Sequence, residues 1–315
     1  MSRPNIRTIG NTPTISIKCT INDKYKKYKE VYAKCEWFNL TGSIKDRVAN
    51  EILHNAVQNK ELTEEMKIVE ASSGNMGISL TVIGKHLGYD TVLFIPKTVS
   101  KERIDILKLL GAEVHLTGTL ETAIEKAKRY ACRNNGYYVD QFNNKYNVSA
   151  HFWDTGFEIY EYAKRFKINK FGFCAGVGSG GTLTGVAKRL KKIYEDNVTI
   201  TALDNESKIL TEDTPGKTKV QGLNSAFKSK LIDKDLIDDY IVIKDEDAIA
   251  MAQKLNKHGI PVGISGGFNF LGALLQKEKV CFTVLPDDNK KYLTTELVNE
   301  IHTPLVDSIE FIQEV

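Results

Sequence analysis

In the stretch NLTGSIKDR (residues 39–47), Lys45 follows Thr41, Gly42 and Ser43 and is followed at once by Asp46 and Arg47. A surface lysine needs no such setting. Small residues that permit close approach, then a lysine at a helix start, suit an amine that must reach a bound group. Three further loops carry polar atoms of a similar kind. In KFGFCAGVGSGGTLTGVAKRL, Gly176, Gly178 and Gly181 fit G-x-G-x-x-G after an apolar run, and TITALD ends on Asp204, about where a ribose-binding acid falls in a dinucleotide site. Gly180, Ser179 and Thr182 add another glycine and two hydroxyls, so backbone N–H groups at this helix start suit a terminal phosphate as well as a bridging pyrophosphate. EASSGNMGI (residues 70–78) offers Ser72, Ser73 and Asn75 to a carboxylate or a phenolic oxygen, and N-capping accounts for only one of the three. In PVGISGGFNFLGALL, Ser265 precedes a helical pattern and on local grounds reads as its N-cap.

One cofactor uses all four loops together. Pyridoxal phosphate needs a phosphate cradle, a lysine for its aldehyde, a donor to its phenolic oxygen and a partner for its ring nitrogen. The glycine loop, Lys45, Asn75 and Ser265 supply those four roles. Two readings compete with this one. An NAD enzyme would use Gly176, Gly178, Gly181 and Asp204 but has no need of Lys45 or the Ser-Ser-Gly-Asn loop. A catalytically quiet sensor of the same fold has no need of Lys45 either.

The elements that must position these loops are legible as alternating patterns. MKIVEA (66–71), DTVLFIP (90–96), AEVHLT (112–117) and GYYVDQF (136–142) predict buried strands. Between them, GISLTVIGKHLG, SKERIDILKLLG and TLETAIEKAKRYACRN space apolar residues by three and four and close on Gly or Asn, which predicts helices. A second series runs KFGFCAG, a helix near 183–194, VTITALD, a helix near 246–258, and KVCFTVLP. Strand-helix-strand repetition predicts an α/β fold with parallel sheets. The break between the series, near residue 146, predicts two units with a site at their interface, where strand C-termini and helix N-termini converge.

Composition excludes several other classes. At 315 residues, 42% hydrophobic and 26% charged, the chain is an ordinary globular protein able to bury a large core. The formal net charge of +3 is interspersed, and the densest basic run, KYKKYK at 24–29, reads as a solvated face, so no nucleic-acid partner is expected. No apolar run reaches the ~18 residues of a membrane span. MSRPNIRTIGNTP lacks the apolar core of a signal peptide, and a cytoplasmic protein without a membrane partner is expected. The five cysteines are scattered without a C-x-x-C pair, against a disulfide framework or structural zinc, and Cys174 and Cys281 read as buried inert thiols. Neither HExxH nor GxxxxGK[ST] occurs, and no metal is expected.

From about Ile9 to Tyr292 the chain resembles the cysteine synthase (O-acetylserine sulfhydrylase) and cystathionine β-synthase family of fold type II pyridoxal-phosphate enzymes. IGNTP resembles the family's opening motif, NLTGSIKDR its N-P-x-G-S-x-K-D-R, SSGNMG its T-S-G-N-T-G, and GVGSGGT its G-x-G-T-G-G-T. QFNN and HFWDTGFEI resemble its Q-F-x-N and H-Y-x-T-T-G-x-E-I segments. The resemblance implies two three-layer α/β/α domains with mostly parallel sheets, like the tryptophan synthase β subunit. Residues 1–35 and 147–315 would form the large cofactor-anchoring domain, and 36–146 the smaller mobile one. It implies that Lys45 holds pyridoxal 5'-phosphate as a Schiff base and removes the α-proton, with Asp46 and Arg47 anchoring its helix. Asn75 would hold the phenolic oxygen, Gly178, Ser179, Gly180, Gly181 and Thr182 the phosphate, and Ser265 would face the pyridine nitrogen. Ser72, Ser73 and Gln141 would hold the substrate's α-carboxylate, and Met76, Gly222 and Asn224 would border the substrate.

The activity implied is β-replacement on a serine- or cysteine-derived amino acid through an α-aminoacrylate. Cysteine synthesis from O-acetylserine and sulfide, releasing acetate, is the first form. Exchange on cysteine or serine releasing sulfide, and synthesis of cystathionine or a diaminopropionate precursor, are the alternatives. A homodimer acting on a small amino acid and a small nucleophile is implied as well. Departures from the family pattern bear on specificity. Leu40 stands where proline is usual, Met76 replaces a threonine whose hydroxyl helps bind the carboxylate, and ISGG replaces I-S-S-G. QGLNSAF (221–227) departs from G-I-G-x-G-F, Asn224 and Ala226 replacing glycines of the substrate loop.

Overall fold

The structure, a computed structural model, describes residues 8–22, 27–72, 74–97, 99, 101–212, 215–223 and 229–312. The strands are β1 (Thr14–Ile21), β2 (Lys27–Cys35), β3 (Ile68–Ala71), β4 (Thr91–Pro96), β5 (Glu113–Thr117), β6 (Tyr137–Tyr138), β7 (Phe171–Gly176), β8 (Val198–Asn205), β9 (Asp239–Ile243), β10 (Val280–Leu285) and β11 (Ile309–Phe311). The helices are α1 (Lys45–Gln58), α2 (Asn75–Leu87), α3 (Lys101–Leu109), α4 (Leu120–Arg133), α5 (Lys145–Ala150), α6 (Gly156–Arg165), α7 (Gly181–Tyr194), α8 (Asp245–Lys257), α9 (Ile264–Leu275) and α10 (Pro304–Asp307). A π-helical turn (His151–Thr155) joins α5 to α6.

Two sheets result. One has four parallel strands in the order β5-β4-β3-β6. The other has seven, in the order β11-β1-β2-β10-β7-β8-β9, parallel from β2 to β9 and antiparallel where β1 meets β2 and β11. Parallel strands need crossover helices, and these cover both faces, so the strands read as continuous apolar runs. All eight residues of β8 are buried. In the small sheet, Val69, Val92 and Phe94 pack on the alanine face of α4 (Ala123, Ala127, Ala131). The alternate residues point the other way: Ile68 packs with α1 and α2, and Leu93 and Ile95 with Leu107 of α3. In the large sheet α8 and α9 share one core and α6 and α7 the other. No helix among the described residues is long and apolar enough to cross a membrane.

Three expectations need correcting. The strand expected over 136–142 shrinks to Tyr137–Tyr138, because Asp140 takes a positive φ of 53° and its carbonyl accepts from Asn143 and Asn144, turning Gln141 out of the sheet. The antiparallel edge β1-β2-β11 went unpredicted, since β2 (KYKEVYAKC) is too rich in lysine to read as a strand. Within it, Lys29 is buried rather than solvated: its amine donates to the carbonyls of Gln276 and Glu278. Burial there holds its pKa below the usual lysine value, against the nearby Cys281. Residues 24–26 of the basic run lie outside the described residues.

Candidate functional site

Helix α1 begins on Lys45, and what holds that turn is a set of buried charges. Asp46 accepts from the backbone N–H of Thr41 (2.6 Å), the Thr41 hydroxyl (2.5 Å) and the Ser79 hydroxyl (2.6 Å), closing the loop onto α2. Arg47, fully buried, donates through Nε and Nη2 to Glu36 (2.7 and 2.9 Å) and through Nη1 and Nη2 to Glu158 (2.6 and 3.0 Å). Lys34 completes the charge balance at 2.7 Å from Glu158. Burial works against charge on both Glu36 and Arg47, but the pair wins: Glu36 is held below the usual carboxylate range and Arg47 above its own. The opening IGNTP segment is fastened to the same cluster. Gly10 N–H donates to Asn39, Asn11 N–H to Glu158, and the Thr12 hydroxyl to Glu36.

A cavity of about 220 Å³ lies where the two sheets' strand ends meet helix starts. From the small sheet it receives Ala71 at the end of β3, Ser72 just beyond it, and Asn75 and Met76 opening α2. From the large sheet come the ends of β7 (Ala175, Gly176) and β10 (Val284, then Pro286) and the starts of α7 and α9. Lys45 lines it, and its amine has no hydrogen-bond partner among the described residues. Burial holds its pKa below the usual lysine value, against the pull of Asp287.

The glycine turn between β7 and α7 forms a second wall. Gly180 takes φ +85°, a conformation L side chains rarely adopt, and side chains at Gly178 and Gly181 would run into the Gly222 carbonyl and the Asn147 amide. The backbone therefore comes up bare against the cavity at the start of a 14-residue helix, which suits a terminal phosphate. Ser179 accepts from Asn147 (2.9 Å), leaving its own proton to donate. Thr182 pairs with Nε2 of His151 at 3.1 Å, and Nδ1 of His151 with Thr155 at 3.0 Å. Burial, then Lys45 and Arg47, holds His151 well below the usual imidazole value, so it stays neutral. An unpartnered amine, a bare amide turn and the Thr182 hydroxyl around one cavity fit the cofactor expected from the sequence.

Ser265 is the second residue of α9 and lines the cavity, but Gly263 holds the N-cap position, so the capping reading of Ser265 is wrong. The Tyr292 phenol, which lines the same cavity, donates to Asp287 at 2.7 Å. Asn75 donates to Asp287 at 2.7 Å and accepts from Lys291 at 2.9 Å. Lys291 also donates to the carbonyls of Thr41 and Gly42, each at 3.3 Å, and so ties the lysine loop to the Asn75 loop. Ser72 accepts from Gly77 N–H at 3.2 Å and faces the cavity, as do Met76, Gln141 and Gly222. Ser73 and Asn224 lie outside the described residues, as does Ala226. Asp204 is not available to a ribose. Buried on β8, it accepts from the N–H groups of Asn205, Leu210 and Thr211 and from the Thr211 hydroxyl, shaping its own loop. Cys174 and Cys281 are buried free thiols with sulfurs 3.9 Å apart.

Sequence reasoning missed Asp287, Lys291, Tyr292, Asn269, Arg103 and Glu70. The first three sit in LPDDNKKY directly after β10, and polar residues at the C-terminal end of a parallel strand are themselves a signal. Glu70 is an apparent anomaly: a fully buried carboxyl on β3 with no ion-pair partner among the described residues. It accepts from Ala71 N–H (2.6 Å) and Gln141 N–H (3.0 Å), joining two cavity loops. Burial pushes its pKa up to about 8 despite those hydrogen bonds. Between the ordinary value of 4.5 and about 8, the folded chain keeps a proton that the unfolded chain has released, so stability falls as pH rises through that window. Glu70→Gln removes this term, whose limiting slope is about 1.4 kcal/mol per pH unit. Thermal midpoints of the two proteins should therefore diverge across the window, the wild type falling by several degrees relative to the variant. Parallel curves would show that Glu70 does not titrate there.

The family described as pyridoxal-phosphate dependent enzyme matches residues 6–287. Cysteine synthase B of Campylobacter jejuni is 37% identical over 298 residues, spanning 92% of this chain and 96% of that protein. Among solved structures, a hydrogen sulfide-producing enzyme of Fusobacterium nucleatum superposes with a TM-score of 0.92 at 37% identity, covering 97% of this chain and 95% of that one. Cysteine synthase of Entamoeba histolytica gives a TM-score of 0.86 at 30% identity, covering 98% and 94%.

Proposed function

The chain belongs to the pyridoxal-phosphate dependent enzymes, among the β-replacing members of cysteine synthase type, and from that premise we propose that it makes cysteine and acetate from O-acetylserine and sulfide. The observation that carries the assignment of its site is the Lys45 amine, lowered in pKa and unpartnered, between a bare glycine turn and the Ser72–Gln141 loops. When bound, pyridoxal phosphate supplies an aldehyde that captures amines and a ring that draws electrons from the substrate's Cα. Lys45 would hold it through its amine. Gly178, Ser179, Gly180, Gly181 and Thr182 would take the phosphate, Asn75 the phenolic oxygen, and Ser265, uncharged, the ring nitrogen. Freed from the cofactor, Nζ of Lys45 would take the proton from Cα, and burial, which lowers its pKa, favours the neutral form a base requires. Ser72, Ser73, Gln141 and the Met76 amide orient the α-carboxylate, with Gly222 and Asn224 across from them. The smaller unit, residues 36–146, closes on the larger one and excludes water. By the same resemblance we take the enzyme to be a cytoplasmic homodimer.

One observation favours a second reading: the likeness to the Fusobacterium enzyme is as strong in identity as that to the Campylobacter synthase. Here cysteine would be the amino-acid substrate and sulfide the product. Protein loaded with pyridoxal phosphate separates the two when given O-acetylserine with sulfide, or cysteine alone, while cysteine and sulfide are measured. Faster formation of cysteine from O-acetylserine is expected. Faster release of sulfide from cysteine would overturn the first reading in favour of the second.

A further inference from the structure

Among the described residues lining the cavity only Lys45 and Arg103 are charged, and β-replacement as assigned above leaves Arg103 without a role. Arg103 is the third residue of α3 and is partly buried. Its guanidinium stands 5.7 Å over the Tyr292 ring, and its Nη1 lies 3.8 Å from where a side chain on Gly74 would begin. Nη2 donates to the Gln221 side-chain oxygen, from the far side of the cavity. That amide is neutral and cancels no charge. No carboxylate among the described residues forms an ion pair with Arg103, whereas buried Arg47 has two. A second cavity of about 110 Å³ shares Gly74, Asn75 and Arg103 with the first; Ile78, Ile106 and Leu293 give it an apolar side, and Glu102, Lys290, Lys291 and Thr294 complete its lining. A ligand gripped by the guanidinium thus has room for an apolar stem on that side.

A partly desolvated guanidinium facing a cavity is stabilised by an anion, and its planar fork matches the paired oxygens of a carboxylate or phosphate. The cofactor phosphate and the substrate's α-carboxylate already have their own partners in the glycine turn and in Ser72 and Gln141. We propose that Arg103 is a specificity-determining residue that binds a second anionic oxygen group, carried by the group that leaves or joins the substrate's Cβ. The inference rests on the β-replacement reading and narrows it: charged partners are preferred to neutral ones of the same shape. The anion has two possible sources, a carboxylate on the incoming thiol or the oxyanion of a phosphate leaving group.

The test compares kcat/KM for wild type, Arg103→Gln and Arg103→Lys, all loaded with pyridoxal phosphate, on two substrate pairs. The first pair is 3-mercaptopropionate and its amide as nucleophiles toward O-acetylserine. The second is O-phosphoserine and O-acetylserine with sulfide. Arg103→Gln should lower the charged-to-neutral ratio about 10- to 100-fold in one pair, as expected for losing a hydrogen bond to a charged group. Arg103→Lys should restore part of that ratio even if the glutamine variant folds poorly. A fall in the first pair assigns the anion to the nucleophile, and in the second to the leaving group. If the rates fall equally for both members of both pairs, Arg103 merely clasps Gln221 and the inference is overturned alone. If the wild type forms no product in either pair, the β-replacement reading falls with it.

Discussion

Lys45→Ala loses turnover by about 10⁴-fold or more, since one side chain is asked to hold the cofactor and to move the α-proton. The substitution leaves the rest of the turn in place. Asp46 and Arg47 fasten the start of α1 through partners that do not involve Lys45, and no hydrogen bond among the described residues is lost with the amine. The variant should therefore fold and still take up pyridoxal phosphate through the glycine turn, without the covalent link. Gly178→Val behaves in the opposite way. Its side chain would run into the Gly222 carbonyl, closing the turn and weakening cofactor uptake about 10- to 100-fold, while Lys45 stays intact. Borohydride trapping of the loaded wild type followed by peptide mapping should mark Lys45. A mark on another lysine, or turnover in Lys45→Ala, would sink the assignment.

Arg47→Met should cost about 3–5 kcal/mol of folding stability, far more than a surface ion pair. The cost comes from what is left behind. Glu36 is fully buried, and without the guanidinium its charge would be answered only by Lys34 and by neutral donors from Thr12 and Asn39. Glu36→Gln added to the same protein should recover ~1 kcal/mol or more, because it removes the stranded charge while keeping the shape. Urea unfolding of the two single variants and the double variant measures this coupling directly. Strict additivity, or a single-variant cost near 1 kcal/mol, would mean that water enters and solvates Glu36. Since α1 begins two residues earlier, on Lys45, activity should be lost in step with stability.

What the chain determined by itself was whatever depends on neighbours in sequence. A bare turn of glycines before a helix, a lysine after small residues, and apolar runs of strand or helix period all follow from local sterics and spacing, so they could be read directly. The α/β class, the cavity at the strand ends and the places of Lys45, Asn75 and Gly178 to Thr182 follow from these. Charge compensation is different in kind. Whether a buried carboxylate or amine is paired depends on which distant segments pack together, and hydrophobic pattern says nothing about that. Arg47 meets Glu158, 111 residues away, and Asn75 meets Asp287, 212 residues away. Only the fold could reveal that Lys29 points inward, that Asp204 is spent on its own loop, and that Ser265 yields the helix cap to Gly263. The same fold decided that Arg103, one basic residue among many in the sequence, stands at the cavity opposite Gln221 with no ion-pair partner among the described residues.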